Sequence, residues 1–203
     1  MVYDAIIVGG SAAGLSTALI LGSAVHKPFV KNKKIGLIAH QKSAHLKSAL
    51  LNNVLGIAPG TKGQEVLDQG MLQLEKLYPS VELLKKEKVK GVVQQESFFT
   101  IQTNKGEYQS KIVVIAVGYA ADFSIEGLEA YMDKHPKARI EKNRIWLKNE
   151  AYLVNENLYV AGTLAGGRSQ FAIACGSGAQ VATDILTLWN NGIHTKHHDK
   201  IKR

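Results

Sequence analysis

The chain opens on a short, continuous apolar block. Val2 to Val8 reads VYDAIIV, whose length and β-branched content predict a buried strand. Gly9 to Gly14 is small and turn-rich, and Leu15 to Ala24 has helical composition, with alanines suited to close packing on a sheet. A basic connection broken by Pro28 and Asn32 leads to Lys34 to Ala39 (KIGLIA), a second buried strand. Strand, glycine turn, helix and strand make a βαβ unit, for which a right-handed crossover is expected.

Gln64 to Tyr78 predicts an amphipathic helix, with Val66, Leu67, Met71, Leu74 and Leu77 at helical spacing and Pro79 as its stop. Val81 to Leu84 is a short strand. Three strand-like runs follow, Val89 to Gln95, Phe98 to Thr103 and Glu107 to Val117, the last two joined by an Asn104-Lys105-Gly106 turn. They predict a three-stranded antiparallel meander whose last strand re-enters the central sheet. Glu126 to Arg139 reads as irregular or weakly helical. Arg144 to Leu147 and Leu158 to Ala161 read as strands, and Gln170 to Asn190 as a helix ended by Asn191-Gly192. The expected class is α/β with a parallel central sheet and the meander at its edge. One domain is expected over residues 1–193, with a basic tail over 194–203.

Composition narrows the classes. The 203 residues are 45% hydrophobic and 21% charged, ordinary for a globular protein and wrong for disorder. Cys175 is the single cysteine, which excludes an internal disulfide or dithiol centre within these residues. No apolar run is read as approaching the ~18 residues of a membrane span. No basic stretch precedes the first apolar block, so a secretory leader is not expected and the cytoplasm is the expected location. The net charge of +8 suits anions: nucleotides, nucleic acid or acidic proteins. Some of it is local: His26 to Lys34 and His194 to Arg203 read most simply as solvated surface and a frayed end. The tail histidines lack metal-ligand spacing, so no metal is expected.

The glycine turn carries the first chemistry. Gly9-Gly10-Ser11-Ala12-Ala13-Gly14 follows a strand and opens a helix, the context that gives G-x-G-x-x-G patterns their meaning. Gly9 serves the tight turn, position 11 must be small for a pyrophosphate to approach, and Gly14 lets helix and strand pack closely. The helix N-terminus supplies about half a positive charge and unpaired N–H groups. Ser11 departs mildly from the pattern, with a hydroxyl that can itself donate to phosphate. The acidic residue expected after the second strand is missing: the chain reads Ala39-His40-Gln41-Lys42. Three alternatives stand: His40 or Gln41 contacts a ribose, His40 and Lys42 receive a 2′-phosphate, or the loop is simply solvated.

These residues resemble a known family. VYDAIIVGGSAAGLSTALILG is similar to the start of thioredoxin-reductase-like flavoproteins, which often read DVIIVGGxxAGLSAAL. Asn52 to Ile57 (NNVLGI) stands where that family has an asparagine-glycine loop beside the flavin, and Val89 begins the segment that touches the adenine. Ile115-Ala116-Val117-Gly118 resembles the family's A-T-G turn, with Val117 for Thr. Asn157 to Thr163 (NLYVAGT) resembles LYVAGD, with Thr163 for the Asp that bonds the ribityl chain. Ser169-Gln170-Phe171-Ala172 resembles the segment that caps the isoalloxazine ring and opens the last helix.

The resemblance implies a Rossmann-like FAD-binding domain standing alone. In the family, an NAD(P)H domain lies between the A-T-G turn and LYVAGD; here only Tyr119 to Asn157 bridges them. Thioredoxin reductase activity, which needs a cysteine pair in that domain, is therefore not implied. The expected function is a small FAD-dependent oxidoreductase, with hydride from external NAD(P)H, a partner reductase or the substrate, and the family implies a homodimer. NAD(P) and an eroded, empty site are the competing readings of the nucleotide site. The other functional readings are a non-catalytic FAD-binding module and an RNA-linked flavoprotein like the tRNA-modifying glucose-inhibited division proteins. The lack of basic–aromatic interleaving speaks against nucleic acid. Flavin does the redox chemistry, so a catalytic base is not obligatory. His45 is read as a surface histidine with catalysis as the lesser alternative, and Cys175 as a packed small hydrophobe with a flavin-facing thiolate as the lesser alternative. Arg168 reads equally as an anion partner or a solvated arginine. Trp146 and Trp189 read as packing anchors.

Overall fold

The computed structural model describes residues 2–40, 45–119 and 123–197. The strands are β1 (Val2–Val8), β2 (Ile35–Ala39), β3 (Leu50–Leu51), β4 (Thr61–Lys62), β5 (Val81–Lys85), β6 (Val89–Gln94), β7 (Phe99–Thr103), β8 (Glu107–Ile115), β9 (Met132–Lys134), β10 (Ile145–Leu147), β11 (Leu153–Asn155) and β12 (Leu158–Val160). The helices are α1 (Ala12–Ser23), α2 (Gly63–Leu77) and α3 (Phe171–Trp189). One sheet runs β11-β12-β8-β1-β2-β5, and β6 and β7 join it through β8. Its core, β12-β8-β1-β2-β5, is parallel. The early half of β8 pairs antiparallel with β7 and its end pairs parallel with β12. The α/β class, the parallel sheet and the shared meander strand all stand as the sequence predicts.

Strand alternation splits the core into two layers. Ala5 and Ile7 of β1, Leu37 and Ala39 of β2, and Val114 and Ala116 along β8 face the helices, against Ala18, Leu21, Val181 and Ile185. Ile6, Val8, Ile38, Val113 and Ile115 face the other way, against Val92, Phe99, Ile101, Leu128 and Leu147. Helix α1 packs on α3 through small residues. Thr17 donates its hydroxyl to both Ala13 O and Gly178 O, each at 3.0 Å. Asp4 ties the sheet's edge: it accepts from Lys34 N at 2.9 Å and from Lys111 Nζ at 3.1 Å. Burial pushes the Asp4 carboxyl up, but these hydrogen bonds and the lysine charges outweigh it and hold the group below its ordinary value.

Several expectations are corrected. Helix α1 begins at Ala12, inside the stretch read as turn, because small residues suit a helix start as well as a loop. Glu126 to Arg139 is not merely irregular: it contains β9, which pairs antiparallel with β10. Strands β3, β4 and β11 were not foreseen, being two or three residues long with no period to show. Leu77, read on the buried face of α2, is 59% exposed. Helix α3 is 19 residues long and apolar enough to cross a membrane by length and composition, against the expectation that no run is. That apolarity serves packing, since Val181, Ala182, Ile185 and Leu186 are fully buried. The start of the basic tail is held rather than frayed: Thr195 is buried, and His197 Nε2 lies 2.6 Å from Ser23 Oγ. Residues 198–203 lie outside the described residues.

Gly176 offers a local test of the α3 assignment. It is exposed in the helix interior, and an added Cβ would meet nothing within 4 Å. Gly176→Ala should therefore stabilise the protein by about 0.5–1 kcal/mol through lost unfolded-state entropy. Urea unfolding reads this directly; a destabilised variant would contradict an open helical site.

Candidate functional site

A cavity of ≈ 770 Å³ opens at the carboxyl ends of the parallel strands, within the range of pockets that hold organic ligands. The chain passes from β1 through α1 to β2 on one side, while β8 lies on β1's other side. The cavity thus sits where the strand order reverses, the switch point at which open α/β sheets bind ligands.

The glycine turn forms one wall. Gly9, Ser11, Ala12 and Ala13 line the cavity. Gly9 has φ +115°, and a Cβ there would lie 2.5 Å from Ala116 O. Gly14 does not line the cavity; a Cβ on it would run into the Gly9 carbonyl, so it keeps α1 close beneath the turn. Ala116, Val117 and Gly118 continue the wall from β8, and Gly162 and Thr163 supply it after β12. Gly162 takes φ +80°, and its N–H donates to the buried Ser177 Oγ at 2.8 Å.

Two helix N-termini meet the cavity: Ser11 to Ala13 of α1, and Gln170 and Phe171 of α3, with Ser169 just before it. Neither helix carries an acid in its first turn, and Ser11 makes no side-chain capping bond. Gln170 caps α3 by accepting from Ile173 N at 3.0 Å. Helix α2, which does not line the cavity, has Glu65 in its first turn, accepting from Lys62 N at 3.2 Å. The two helices without an acid in the first turn are thus the two whose N-termini line the cavity.

Besides Gly14, three sequence-predicted residues are placed away from the cavity. Ala39 is buried among the helix-facing core side chains, while its neighbours Ile38 and His40 line the cavity. Asn52 turns away, its Oδ1 accepting from Gly60 N at 2.7 Å, and Asn53 lines the cavity instead. Ala172 is exposed, and Ala174 takes its place on the lining face of α3. Gln41, with Lys42, lies outside the described residues. Val89 lines the cavity as expected.

His40 Nδ1 is buried without a hydrogen-bond partner. Such an orphan points to a missing polar group. Nearby stands an acid the sequence reading overlooked. Glu87 lines the cavity after β5, its carboxylate accepting from Tyr108 Oη at 3.0 and 2.9 Å and from Thr103 Oγ1 at 3.1 Å. β5 pairs with β2, so Glu87 leaves the sheet beside His40. Lys88, Ile125, Ser124, Phe123, Tyr119 and Arg144 were also missed.

His45 lines the cavity mouth, its ring edge-on to Tyr119 with centroids 6.2 Å apart. Arg168 does not line this cavity but a smaller neighbouring cleft. Cys175 does not line the cavity, and burial pushes its thiol up against the smaller lowering effect of a Ser16 hydrogen bond. Trp146 packs on Gly166, whose added Cβ would lie 2.9 Å from its ring. No group of three or more potential metal ligands occurs among the described residues.

A switch-point cavity walled by a glycine turn and two helix N-termini defines the nucleotide-binding domains of two-electron oxidoreductases. Residues 3–175 match the family model described as pyridine nucleotide-disulphide oxidoreductase, and the chain belongs to that family. A ferredoxin–NADP reductase of Streptococcus agalactiae is 29% identical over 139 residues, covering 66% of this chain and 41% of that protein. One from Pediococcus pentosaceus is 26% identical over 176 residues, covering 85% and 49%. The chain thus matches less than half the length of these relatives. A thioredoxin reductase from Gloeobacter violaceus superimposes with a TM-score of 0.73 at 14% identity, covering 98% of this chain and 99% of that one. A ferredoxin-flavin thioredoxin reductase from Clostridium acetobutylicum gives 0.69 at 17%, covering 94% and 98%. At such identities these structures speak to the fold, which is that of thioredoxin-reductase-like flavoproteins.

Proposed function

We propose that the large cavity binds FAD and that the chain is the flavin-binding part of an oxidoreductase whose hydride comes from outside this fold. External NAD(P)H and a partner reductase are the two candidate donors. The observation that carries the reading is the pair of helix N-termini, neither with an acid in its first turn, that line one cavity beside the Gly9 turn. The residues present fit the cofactor. Gly9 lets the turn press on the Ala116 backbone, which a Cβ would prevent, and so holds the start of α1 at the cavity wall; the orphaned His40 Nδ1 suits a polar partner of the kind a ribose offers.

In this reading, Ser11 to Ala13 hold the pyrophosphate, and His40 and Val89 hold the adenosine end. Gly162, fixed by Ser177, and Thr163 hold the ribityl end. The bound flavin supplies the hydride chemistry. The N-terminus of α3, at Gln170 and Phe171, would stabilise negative charge on a group held there. No acid–base role is required of His45.

The visible spectrum of the purified protein, with FAD added and then NADH or NADPH without air, tests this. Flavin bands that bleach support direct hydride acceptance; bands that persist place the donor on a partner. A protein that takes up no flavin removes the reading.

Thr163→Asp gives a sharper test. Thr163 O is held by His135 Nε2 and Gly166 N, each at 3.0 Å, so the backbone is fixed whatever the side chain. A carboxylate there would gain a charge-assisted bond to a ribityl hydroxyl and stand near the positive end of α3. FAD affinity should rise about tenfold, read by flavin fluorescence titration. A fall in affinity would place Thr163 away from the ribityl chain.

A further inference from the structure

The connection between β8 and β12 carries a second, smaller cleft. Its volume is ≈ 390 Å³, and it shares Tyr119, Arg144 and Ser169 with the large cavity. Five cationic side chains line it: Lys137, Arg139, Lys142, Arg144 and Arg168. Among the described residues, no carboxylate lies within ion-pair distance of any of the five, and none lines the cleft. Asp133 accepts from Lys134 N at 2.7 Å, and Glu141 is exposed. Like charges gathered on a concave surface raise the local potential and draw in anions.

The cleft is braced rather than floppy. His135 is buried, its Nε2 3.0 Å from Thr163 O and its Nδ1 accepting from Lys137 N at 3.1 Å. Because Nδ1 accepts, Nε2 is the nitrogen that donates to Thr163 O, and the ring ties the cleft to the Thr163 backbone. The Arg144 guanidinium lies 4.9 Å from the Tyr119 ring centroid. Pairing of Lys134 with Ile145 fixes the base of the segment.

We propose that this cleft binds the phosphate end of a small phosphorylated molecule, whose other end passes Tyr119 into the large cavity. Arginine forks and lysine point charges match phosphate oxygens, and several cations suit more than one negative charge. The volume is that of a small-molecule pocket rather than a flat docking face. The proposal rests on the flavin reading only for what the far end of that molecule meets.

Inorganic pyrophosphate is the probe, titrated by calorimetry into the full chain loaded with FAD. Wild type should bind one equivalent. The variant K137E/R139E should bind at least about tenfold more weakly, with its flavin spectrum unchanged. Both residues are exposed and line only the small cleft, so the fold should tolerate the reversal. Equal binding by both proteins, or none by wild type, overturns the proposal. So does binding of an acidic peptide or tRNA where pyrophosphate fails, since that makes the cleft a macromolecular surface. A chain that takes up no flavin defeats the large-cavity reading instead, and the difference between wild type and variant, measured without flavin, still decides the cleft.

Discussion

Gly9→Val should abolish flavin binding and destabilise the fold together. A Cβ on Gly9 would lie 2.5 Å from the Ala116 carbonyl oxygen, and the residue sits at φ +115°. Neither side can yield cheaply. Gly9 N donates to Ile38 O at 2.9 Å, and Ala116 N donates to Val8 O at 2.8 Å, so the turn and β8 are both locked into the sheet. Strained backbone and an overpacked contact together cost about 3 kcal/mol or more, a large share of a marginal stability. The same shift turns the α1 N–H groups away from the cavity, and FAD affinity should fall by at least about a hundredfold, roughly 2.7 kcal/mol. Urea unfolding and flavin retention read the two effects separately. A variant that unfolds at the wild-type midpoint and keeps its flavin would show that the turn is not the cradle.

The glycine turn was legible because its meaning is local. Gly9, Ser11, Ala12, Ala13 and Gly14 follow one another in sequence, and the strand before them and the helix after them read from composition alone. The errors nearby are errors of direction. Period-two alternation puts Ala39 with Leu37 on the helix side and His40 with Ile38 on the cavity side; applied strictly, it would have withdrawn Ala39. Helical spacing does the same for α3, where Gln170 and Ala174 share a face that Ala172 does not. Asn52 and Asn53 could not be separated in this way. The choice depends on Gly60 meeting Asn52 across the β3–β4 hairpin, and neither of its two-residue strands shows in the sequence.

What stayed hidden was brought in from far along the chain. Glu87 reaches the cavity because β5 pairs with β2, and its carboxylate is set by Tyr108 and Thr103 on the meander. The sequence reading sought its acid at the end of β2, whereas the acid stands at the end of the neighbouring strand. Arg144 and Tyr119 arrive through the β8–β12 connection, of which Glu126 to Arg139 reads as irregular because the three-residue β9 has no period. The charge pattern offered a signal that was passed over. Lys134, Lys137, Arg139, Lys142 and Arg144 stand within eleven residues against Glu141 alone, denser than the tail that drew attention.

Gly178→Val carries the other large effect, because α1 and α3 share one contact and both aim their N-termini at the cavity. A Cβ on Gly178 would collide with the Ala13 carbonyl and lie 3.0 Å from Thr17 Oγ1. The helices must part, and the Thr17 hydroxyl, which now serves Ala13 O and Gly178 O at once, loses the second. Overpacking and the lost buried hydrogen bond should cost about 2–4 kcal/mol. Thr17→Val separates the two causes. It removes the hydroxyl with little change in volume, should cost about 1–2 kcal/mol, and leaves the helix spacing intact. If α1 and α3 position the cofactor jointly, flavin affinity falls in Gly178→Val and holds in Thr17→Val at temperatures where both are folded. Equal affinity in the two variants would mean that each helix end binds on its own, and that their close crossing serves stability alone.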